Sequence, residues 1–246
     1  MSSVTLVRHG QASYMSEDYD KLSPLGEEQA AKLGRYWVRH GITFDYVFHG
    51  PAQRHRRTME IAGAEMQSAG LPWPEPVTFS DFDEFDAFTM MRLMLPALVQ
   101  QDEKVRSLHA DFEASRHSPE AGRKLQKLFE EAARNWAVTG IELEGCESWP
   151  QFRARIRSAL DQVRASAGAS TRTVVFTSGG PIAASVAHVL ELRDEKAIEF
   201  VWLSRNASYA QLLFSPDRSS LHAFNAIPHL DDLSLLTYLW RGSHTE

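Results

Sequence analysis

The chain lacks several features that would indicate particular classes of protein. It has one cysteine in 246 residues, Cys146, so an internal disulfide is excluded and a reducing compartment is favoured. No apolar run is long enough to span a bilayer. The N-terminus lacks the basic region followed by an apolar segment that marks a signal peptide. From these absences we expect a soluble, cytoplasmic protein.

The chain also lacks an excess of positive charge. It has 26 Lys and Arg against 32 Asp and Glu, a net charge of −6, which gives no reason to expect nucleic acid or an anionic membrane as a partner. It contains no internal repeat and no low-complexity tract. Its length fits one domain, and we expect residues 1–246 to form it, with an insertion. The oligomeric state is left open.

Strand and helix patterns alternate at both ends of the chain, which predicts an α/β sandwich with a mostly parallel central sheet. Short runs rich in β-branched and aromatic residues predict strands at 3–9, 44–50 and 172–178, and a hairpin at 208–225. Helices are predicted from Ser23-Pro24 to Gly41, at 54–69, at 150–167 and after Gly180-Pro181, with Pro181 at the first helical position.

The middle of the chain has a different pattern. From about 88 to 145 it shows helical periodicity and no strand, which predicts a helical cap over the carboxyl edge of the sheet. A Met-rich apolar block at 90–98, broken by Pro96, is interpreted as packing because Met fills irregular gaps.

The first strand ends in Arg8-His9-Gly10, a position where open α/β sheets bind ligands. Arg8 offers a planar fork that suits phosphate oxygens, and Gly10 lets a ligand approach the backbone. An imidazole beside a bound phosphate can act as a nucleophile. By themselves these three residues are as compatible with a polar strand end at the surface as with a catalytic site.

Three further segments favour an anion site. Arg54 lies where a helix starts after Gly50-Pro51, and adds a second cation and a helix dipole. The stretch "SDFDEFDAF" contains Glu84 in a cluster of carboxylates. The strand in "VVFTSGGPI" ends in a Gly-rich turn whose backbone N–H groups are expected to face the same anion.

With these motifs in this order, the chain resembles the histidine phosphatase superfamily, in its phosphoglycerate-mutase-like branch. The resemblance covers Val4 to about Leu230, and includes "DKLSPLGEEQA", "GPAQRHRRT", "ESWPQFRARI" and "NASYAQLLF". It implies a three-layer α/β/α sandwich with a helical insertion, and neither a metal nor a cofactor.

The resemblance also assigns roles. His9 is implied to be the nucleophile, and Arg8 and Arg54 the residues that clamp the phosphate. Glu84 is implied to be the general acid, with Asp81, Asp83 and Asp86 as competitors, and Phe82, Phe85 and Phe88 are expected to raise its pKa by desolvation. Ser178, Gly179 and Gln11 complete the expected phosphate-binding set.

Two positions depart from the family pattern. Ser178 lies where the family usually has a second histidine, and Gly50 where it often has Ser before Pro51. Removing one preorganised donor typically lowers a rate by roughly 10²–10³. His49 and His55 are near enough to Gly50 in sequence to compensate electrostatically for the missing Ser, although an isolated histidine is more often structural.

The expected function is a metal-independent phosphomonoester hydrolase that forms a phosphohistidine and acts on a small phosphorylated substrate. Because of Ser178, a catalytically weak or inactive phosphate-binding or partner-binding module stays an alternative. A phosphosugar mutase is a second alternative, although the loop "QASYMSEDYD" lacks the Trp/Asn pattern usual in mutases. The cap is expected to set the leaving-group preference, and its Met and Phe content suggests tolerance of an apolar group.

Overall fold

The structure, a computed structural model, describes residues 1–13, 20–166 and 170–237. Within these ranges six strands form one sheet. They are β1 (Ser2–Arg8), β2 (Tyr46–His49), β3 (Val77–Thr78), β4 (Arg172–Thr177), β5 (Tyr209–Ser215) and β6 (Arg218–Ala226).

The helices of the described ranges follow the predicted alternation. They are α1 (Pro24–His40), α2 (Gln53–Ser68), α3 (Ala87–Gln101), α4 (Glu103–Ala114), α5 (Ala121–Thr139), α6 (Trp149–Ser166), α7 (Gly179–Val189), α8 (Asp194–Ala197) and α9 (Glu199–Leu203). Single 3-10 turns lie at Ser80–Phe82 and Leu233–Leu235. No helix in these ranges is long and apolar enough to cross a membrane.

The sheet has the strand order β3-β2-β4-β1-β5-β6. The first four strands in that order are parallel, whereas β5 runs antiparallel to β1 and forms the predicted hairpin with β6. The carboxyl ends of β1, β2 and β4 therefore meet at one edge, where such sheets bind ligands. The predicted mostly parallel sheet is confirmed.

Alternate residues of the central strands supply the two faces of the core. Val7, Val174 and Phe176 pack on one side against α1 and α2. Val4, Leu6 and Val175 pack on the other side against α6 and α7. The sheet thus lies between two helical layers, which gives the predicted three-layer sandwich.

Local chemistry defines both ends of α1. Ser23 caps α1, its Oγ accepting from the Gly26 N–H at 3.1 Å, and Gly41 ends that helix with φ of 60°. The predicted place of Pro181 is wrong: α7 begins at Gly179, so Pro181 is its third residue and not its first. Proline is tolerated there because the first N–H groups of a helix have no intrahelical partner.

Residues 87–139 consist of α3, α4 and α5 and their short links. Met90 and Met94 are buried in a cluster with Phe129 and Trp136, so their predicted packing role is confirmed. Pro96, which interrupts the apolar run in the sequence, lies inside α3.

Candidate active site

His9 lies at the carboxyl end of β1 and is 3% exposed. Its N–H donates to the carbonyl of Thr177 at 2.9 Å, and its carbonyl accepts from the Ala207 N–H at 3.1 Å. Gly10 follows in tight contact with α1: a Cβ at Gly10 would lie 2.3 Å from the carbonyl oxygen of Gly26. The backbone that carries His9 is therefore fixed from both sides.

The imidazole of His9 has a defined tautomer. Its Nδ1 lies 2.7 Å from the carbonyl oxygen of Gly10, which can only accept, so Nδ1 carries the proton and Nε2 keeps its lone pair. Burial, followed by the charges of Arg54 and Arg8, holds the pKa of His9 well below its usual value. His9 is therefore neutral at neutral pH, with a basic Nε2.

Two arginines accompany His9. Arg8 is 1% exposed, and its Nη1 donates to the carbonyl of Ser204. Arg54 lies in the first turn of α2 with its side chain 13% exposed. The structure thus brings together the three cationic or basic residues that the sequence predicted for one site.

Asp20 is a site residue that the sequence analysis missed. Its Oδ1 accepts from Arg54 Nη1 at 2.6 Å, and its Oδ2 accepts from the Gln53 N–H at 2.7 Å. The N-cap position of α2 is Ala52, whose side chain cannot cap, so Asp20 supplies the missing acceptor from a distant loop. The uncapped helix start was the one signal in the sequence that pointed to such a partner.

Glu84 lies beside the N-terminus of α7. Its Oε2 accepts from the Gly180 N–H at 3.0 Å, and its Oε1 accepts from the Phe85 N–H at 3.1 Å. Desolvation by the surrounding protein raises the pKa of Glu84, against the opposing effect of these N–H groups and of Arg54. The Gly180 N–H, which we expected to face the anion, is thus occupied by Glu84 in this structure.

Two of the carboxylates that compete with Glu84 for the role of acid make other hydrogen bonds. Asp83 Oδ1 accepts from the Glu84 N–H at 2.9 Å. Asp86 caps α3, and although burial acts in the opposite direction, hydrogen bonds from Thr89 lower the pKa of Asp86. Burial raises the pKa of Glu84, whereas the pKa of Asp86 is lowered, so of these two carboxyl groups Glu84 suits a proton donor.

The three phenylalanines expected to desolvate Glu84 differ in how far they are buried. Phe82 and Phe85 are buried, at 0% and 5% exposure, and only they can contribute in the way we expected. Phe88 is 69% exposed and lies instead on the wall of a cavity.

Two further predicted residues, Ser178 and Gln11, and the histidines His49 and His55 are placed as follows. Ser178 is buried and its Oγ lies 2.6 Å from His55 Nε2, so His55 does reach the site. His49 instead bonds the Gly50 carbonyl oxygen and Thr78. Gln11 bonds Ser23 through its side-chain oxygen at 2.8 Å, and its expected part in phosphate binding gains no support from this geometry.

These groups open onto a cavity of about 620 Å³. Its basic wall consists of Arg8, His9, Arg54, Ser178 and Gly179. Its apolar wall comes from α3, α5 and α9, and consists of Phe88, Met91, Leu125, Phe129, Val201 and Trp202. A more open depression of about 690 Å³ at the amino end of β1 includes none of the predicted site residues.

In residues 1–13, 20–166 and 170–237, no three His, Cys, Asp or Glu side chains are grouped so that they could hold a metal ion. The metal-free chemistry implied by the family resemblance stays an expectation.

Comparison with known proteins agrees with this fold. The family model of the histidine phosphatase superfamily (branch 1) matches residues 4–136 and 91–227, so the chain belongs to this superfamily. A mycobacterial glucosyl-3-phosphoglycerate phosphatase, solved with inorganic phosphate, has a similar fold: the TM-score is 0.60 with 22% identity, over 92% of this chain and 98% of that one.

Two curated relatives match shorter stretches. A 2,3-bisphosphoglycerate-dependent phosphoglycerate mutase of Thermobifida fusca is 39% identical over 80 residues, which is 30% of this chain and 31% of the relative. A broad-specificity phosphatase of Saccharomyces cerevisiae is 32% identical over 73 residues, 27% of this chain and 32% of the relative. The match thus spans about a third of each of these relatives, which include both a mutase and a phosphatase.

Proposed function

We propose that this protein is a metal-independent phosphomonoester hydrolase that works through a phosphohistidine on His9. One observation carries the proposal. His9 Nδ1 is committed to the Gly10 carbonyl, so its basic Nε2 is the nitrogen available to a ligand in a cavity that Arg8 and Arg54 also line. Two guanidinium groups nearly balance a phosphate dianion and hold it by charge-assisted hydrogen bonds.

In the first step, Nε2 of His9 forms a bond to phosphorus while the bond from phosphorus to the ester oxygen breaks. The departing oxygen takes the proton of Glu84, whose raised pKa keeps a fraction of the carboxyl group protonated. The Gly10 carbonyl stabilises the positive imidazole that forms, because it accepts from Nδ1.

In the second step, a water molecule attacks phosphorus and the bond between phosphorus and Nε2 breaks. Glu84, now a carboxylate, takes a proton from that water and is ready for the next cycle. Phosphate leaves, and His9 is neutral again. The same carboxyl group therefore acts first as an acid and then as a base.

The charges along the cavity favour a phosphatase over a phosphosugar mutase. Among its described lining residues, Arg8 and Arg54 are the only Lys or Arg, and Asp20 already pairs with Arg54. The other charged lining residues are the carboxylates Asp83, Glu84 and Asp86. A second phosphate or a carboxylate on the substrate would face these acids without a cation of its own.

The leaving group that fits this cavity is uncharged and apolar. The apolar wall offers aromatic and aliphatic surface from α3, α5 and α9, with few polar groups to fix a sugar. We therefore expect aryl or long alkyl monophosphates to be better substrates than glycerate phosphates. A preference for 3-phosphoglycerate over 1-naphthyl phosphate would contradict this.

A binding module without catalysis is the other alternative, since Ser178 replaces an expected histidine. A module that only binds phosphate would need neither a basic Nε2 on His9 nor a raised pKa on Glu84, yet the chain has both. Phosphate that stabilised the fold against heating, without any turnover, would favour the module.

The test is hydrolysis of p-nitrophenyl phosphate with EDTA present, for the wild type, His9→Ala and a control, Ser185→Ala. Ser185 is a fully buried serine of α7, and its Oγ has no partner among the described residues. We expect turnover by the wild type and control, none by His9→Ala, and an acid-labile, base-stable phosphoenzyme on rapid quenching. Equal rates for wild type and His9→Ala would overturn the proposal.

A further inference from the structure

His55 is a buried histidine that contacts the site through another residue. It follows Arg54 in the first turn of α2, is 0% exposed, and its ring centroid lies 5.7 Å from that of His9. Its Nε2 lies 2.6 Å from the Oγ of Ser178. Burial, followed by the charge of Arg54, holds the pKa of His55 well below its usual value, so the ring is neutral and carries one N–H.

The position of that proton follows from the surroundings of the two nitrogens. Nδ1 has no hydrogen-bond partner within the described ranges and faces Gly50, where a Cβ would lie 2.5 Å from it. A proton on Nδ1 would be a buried donor without an acceptor, which is costly and rare. The proton therefore belongs on Nε2, which donates to Ser178.

The hydroxyl of Ser178 is oriented as a consequence. Its oxygen accepts from His55 Nε2 at 2.6 Å and, more weakly, from Arg54 Nη2 at 3.4 Å. Both partners of this oxygen in the described chain are donors, so its own hydrogen is available to a ligand. Ser178 lines the cavity together with His9 and Arg54.

We propose that His55 and Ser178 act as one unit, in which Ser178 donates its hydroxyl hydrogen to a phosphoryl oxygen and His55 is the positioning residue that aims it. The inference rests on the proposed function, because it describes a donor for the same phosphoryl group. A preorganised donor of this kind is worth roughly 10²–10³ in rate when charge develops on that oxygen.

Gly50 is the third member of this arrangement. A Cβ at position 50 would lie 2.5 Å from His55 Nδ1 and 2.8 Å from the carbonyl oxygen of Phe82. Atoms this close cannot be accommodated unless the imidazole moves. The absence of a side chain at position 50 therefore makes room for the ring of His55, and Gly50→Ala should have the same effect on the rate as loss of His55.

The test compares His55→Gln with His55→Asn. The two side chains are similarly polar, but only the longer Gln places its amide nitrogen where His Nε2 lies, so only Gln can donate to Ser178. With p-nitrophenyl phosphate we expect His55→Asn and Ser178→Ala each to lower kcat about 10²-fold, and His55→Gln to retain at least ten times the activity of His55→Asn. Ser185→Ala is the control for a buried serine of α7.

The double variant His55→Asn/Ser178→Ala gives the second readout. Two residues that act as one unit lose together little more than either loses alone, whereas independent residues multiply their losses. The inference would be overturned if the losses in kcat multiplied in the double variant. It would also be overturned if folded His55→Gln were no more active than His55→Asn.

Binding of inorganic vanadate separates this inference from the proposed function. If the wild type hydrolyses no ester, the proposed function fails. The pair is then judged by whether His55→Asn and Ser178→Ala weaken vanadate binding by a similar factor and His55→Gln does not. Unchanged vanadate affinity in His55→Asn, or no vanadate binding by the wild type, would contradict the pair as an anion site.

Discussion

The two walls of the cavity are built in different ways. On the basic wall, His9, Arg8, Arg54 and Ser178 each have a specific hydrogen-bond partner, and His9 and Ser178 are at most 3% exposed. On the apolar wall, side chains of α3, α5 and α9 meet the cavity through hydrocarbon surface, and Phe88 is 69% exposed. The basic wall thus holds polar atoms through specific hydrogen bonds, and the other wall offers apolar surface to the cavity.

This difference matches what each end of a phosphomonoester requires. The phosphoryl group is the same in every substrate, and the rate of its transfer depends on accurate positioning and preorganised charge. Leaving groups vary, and an apolar surface discriminates among them only weakly, by about 1–3 kcal/mol per small group. Changes on the basic wall should therefore alter catalysis, and changes on the apolar wall should alter selectivity.

The largest expected effect is that of Glu84→Gln, which removes the proton donor but keeps an oxygen able to accept from the Gly180 N–H. General acid catalysis contributes about 10²–10⁴ in rate, so we expect a loss of that size with an alkyl phosphate. The loss should be much smaller with p-nitrophenyl phosphate, whose leaving group needs less protonation. Equal losses with both substrates would contradict the role of Glu84. Asp81→Asn serves as the control, because Asp81 lies in the same segment but outside the described cavity lining.

The dependence of activity on pH gives a second test of Glu84, because the direction of each change follows from the pKa shifts. Protonated Glu84 is needed for the first step, so activity should fall as pH rises above its raised pKa, by about tenfold per pH unit. Neutral His9 is also needed, so activity should fall as pH drops below its lowered pKa. Glu84→Gln should abolish the alkaline fall and keep the acid one. The rate ratio of variant to wild type at each pH cancels the titration of the substrate.

Gly180→Ala should have the next largest effect. A Cβ at position 180 would lie 1.9 Å from Glu84 Oε1, so the carboxylate must move. With an alkyl phosphate we expect kcat to fall by roughly 10², since displacement of the acid is equivalent to losing most of its contribution. Gly122→Ala is the control, because nothing lies within 4 Å of a Cβ there. Wild-type activity in Gly180→Ala would show that Glu84 is not held where the mechanism needs it.

The sequence predicted the basic wall well because its residues follow recognisable elements. Arg8 and His9 end a buried strand, and Arg54 starts a helix, so parallel topology alone brings them to one edge of the sheet. The glycine turn after β4 predicted the start of α7 to within two residues.

The sequence did not predict contacts that depend on side-chain direction across the fold. Asp20 caps a helix that begins 33 residues later in the chain, and its loop has no periodic pattern. His55 and Ser178 are 123 residues apart, and only the packing of α2 against the end of β4 brings them together. The part of the loop at 14–19 that bears on the mutase alternative lies outside the described residues.

A smaller effect is expected from histidines that differ in burial. His229 is 6% exposed, and burial lowers its pKa to about 4, whereas His117, between α4 and α5, is exposed. The unfolded chain binds this proton near pH 6.5 and the folded chain does not, so stability falls as pH drops below 6.5. His229 alone should account for about 1.5 kcal/mol of the loss between pH 6.5 and pH 5.

Urea unfolding at the two pH values measures this loss. His229→Gln should lose about 1.5 kcal/mol less than the wild type between pH 6.5 and pH 5, whereas His117→Gln should match the wild type. Equal losses for wild type and His229→Gln would mean that His229 is protonated in the folded protein at pH 5.

The smallest expected effect is on the apolar wall, where Phe88→Ala tests selectivity. The side chain is 69% exposed without a ligand, so its removal should change the free energy of unfolding little. A bulky apolar leaving group would cover that surface, and losing the contact should cost about 1.4 kcal/mol. We therefore expect kcat/KM for 1-naphthyl phosphate to fall about tenfold, while that for methyl phosphate stays the same.

Leu233→Ala is the control for this prediction. It removes a similarly exposed side chain, 74% exposed, outside the described cavity lining, and should change neither value. A loss of equal size for both esters would place Phe88 in the catalytic machinery and remove the distinction between the two walls.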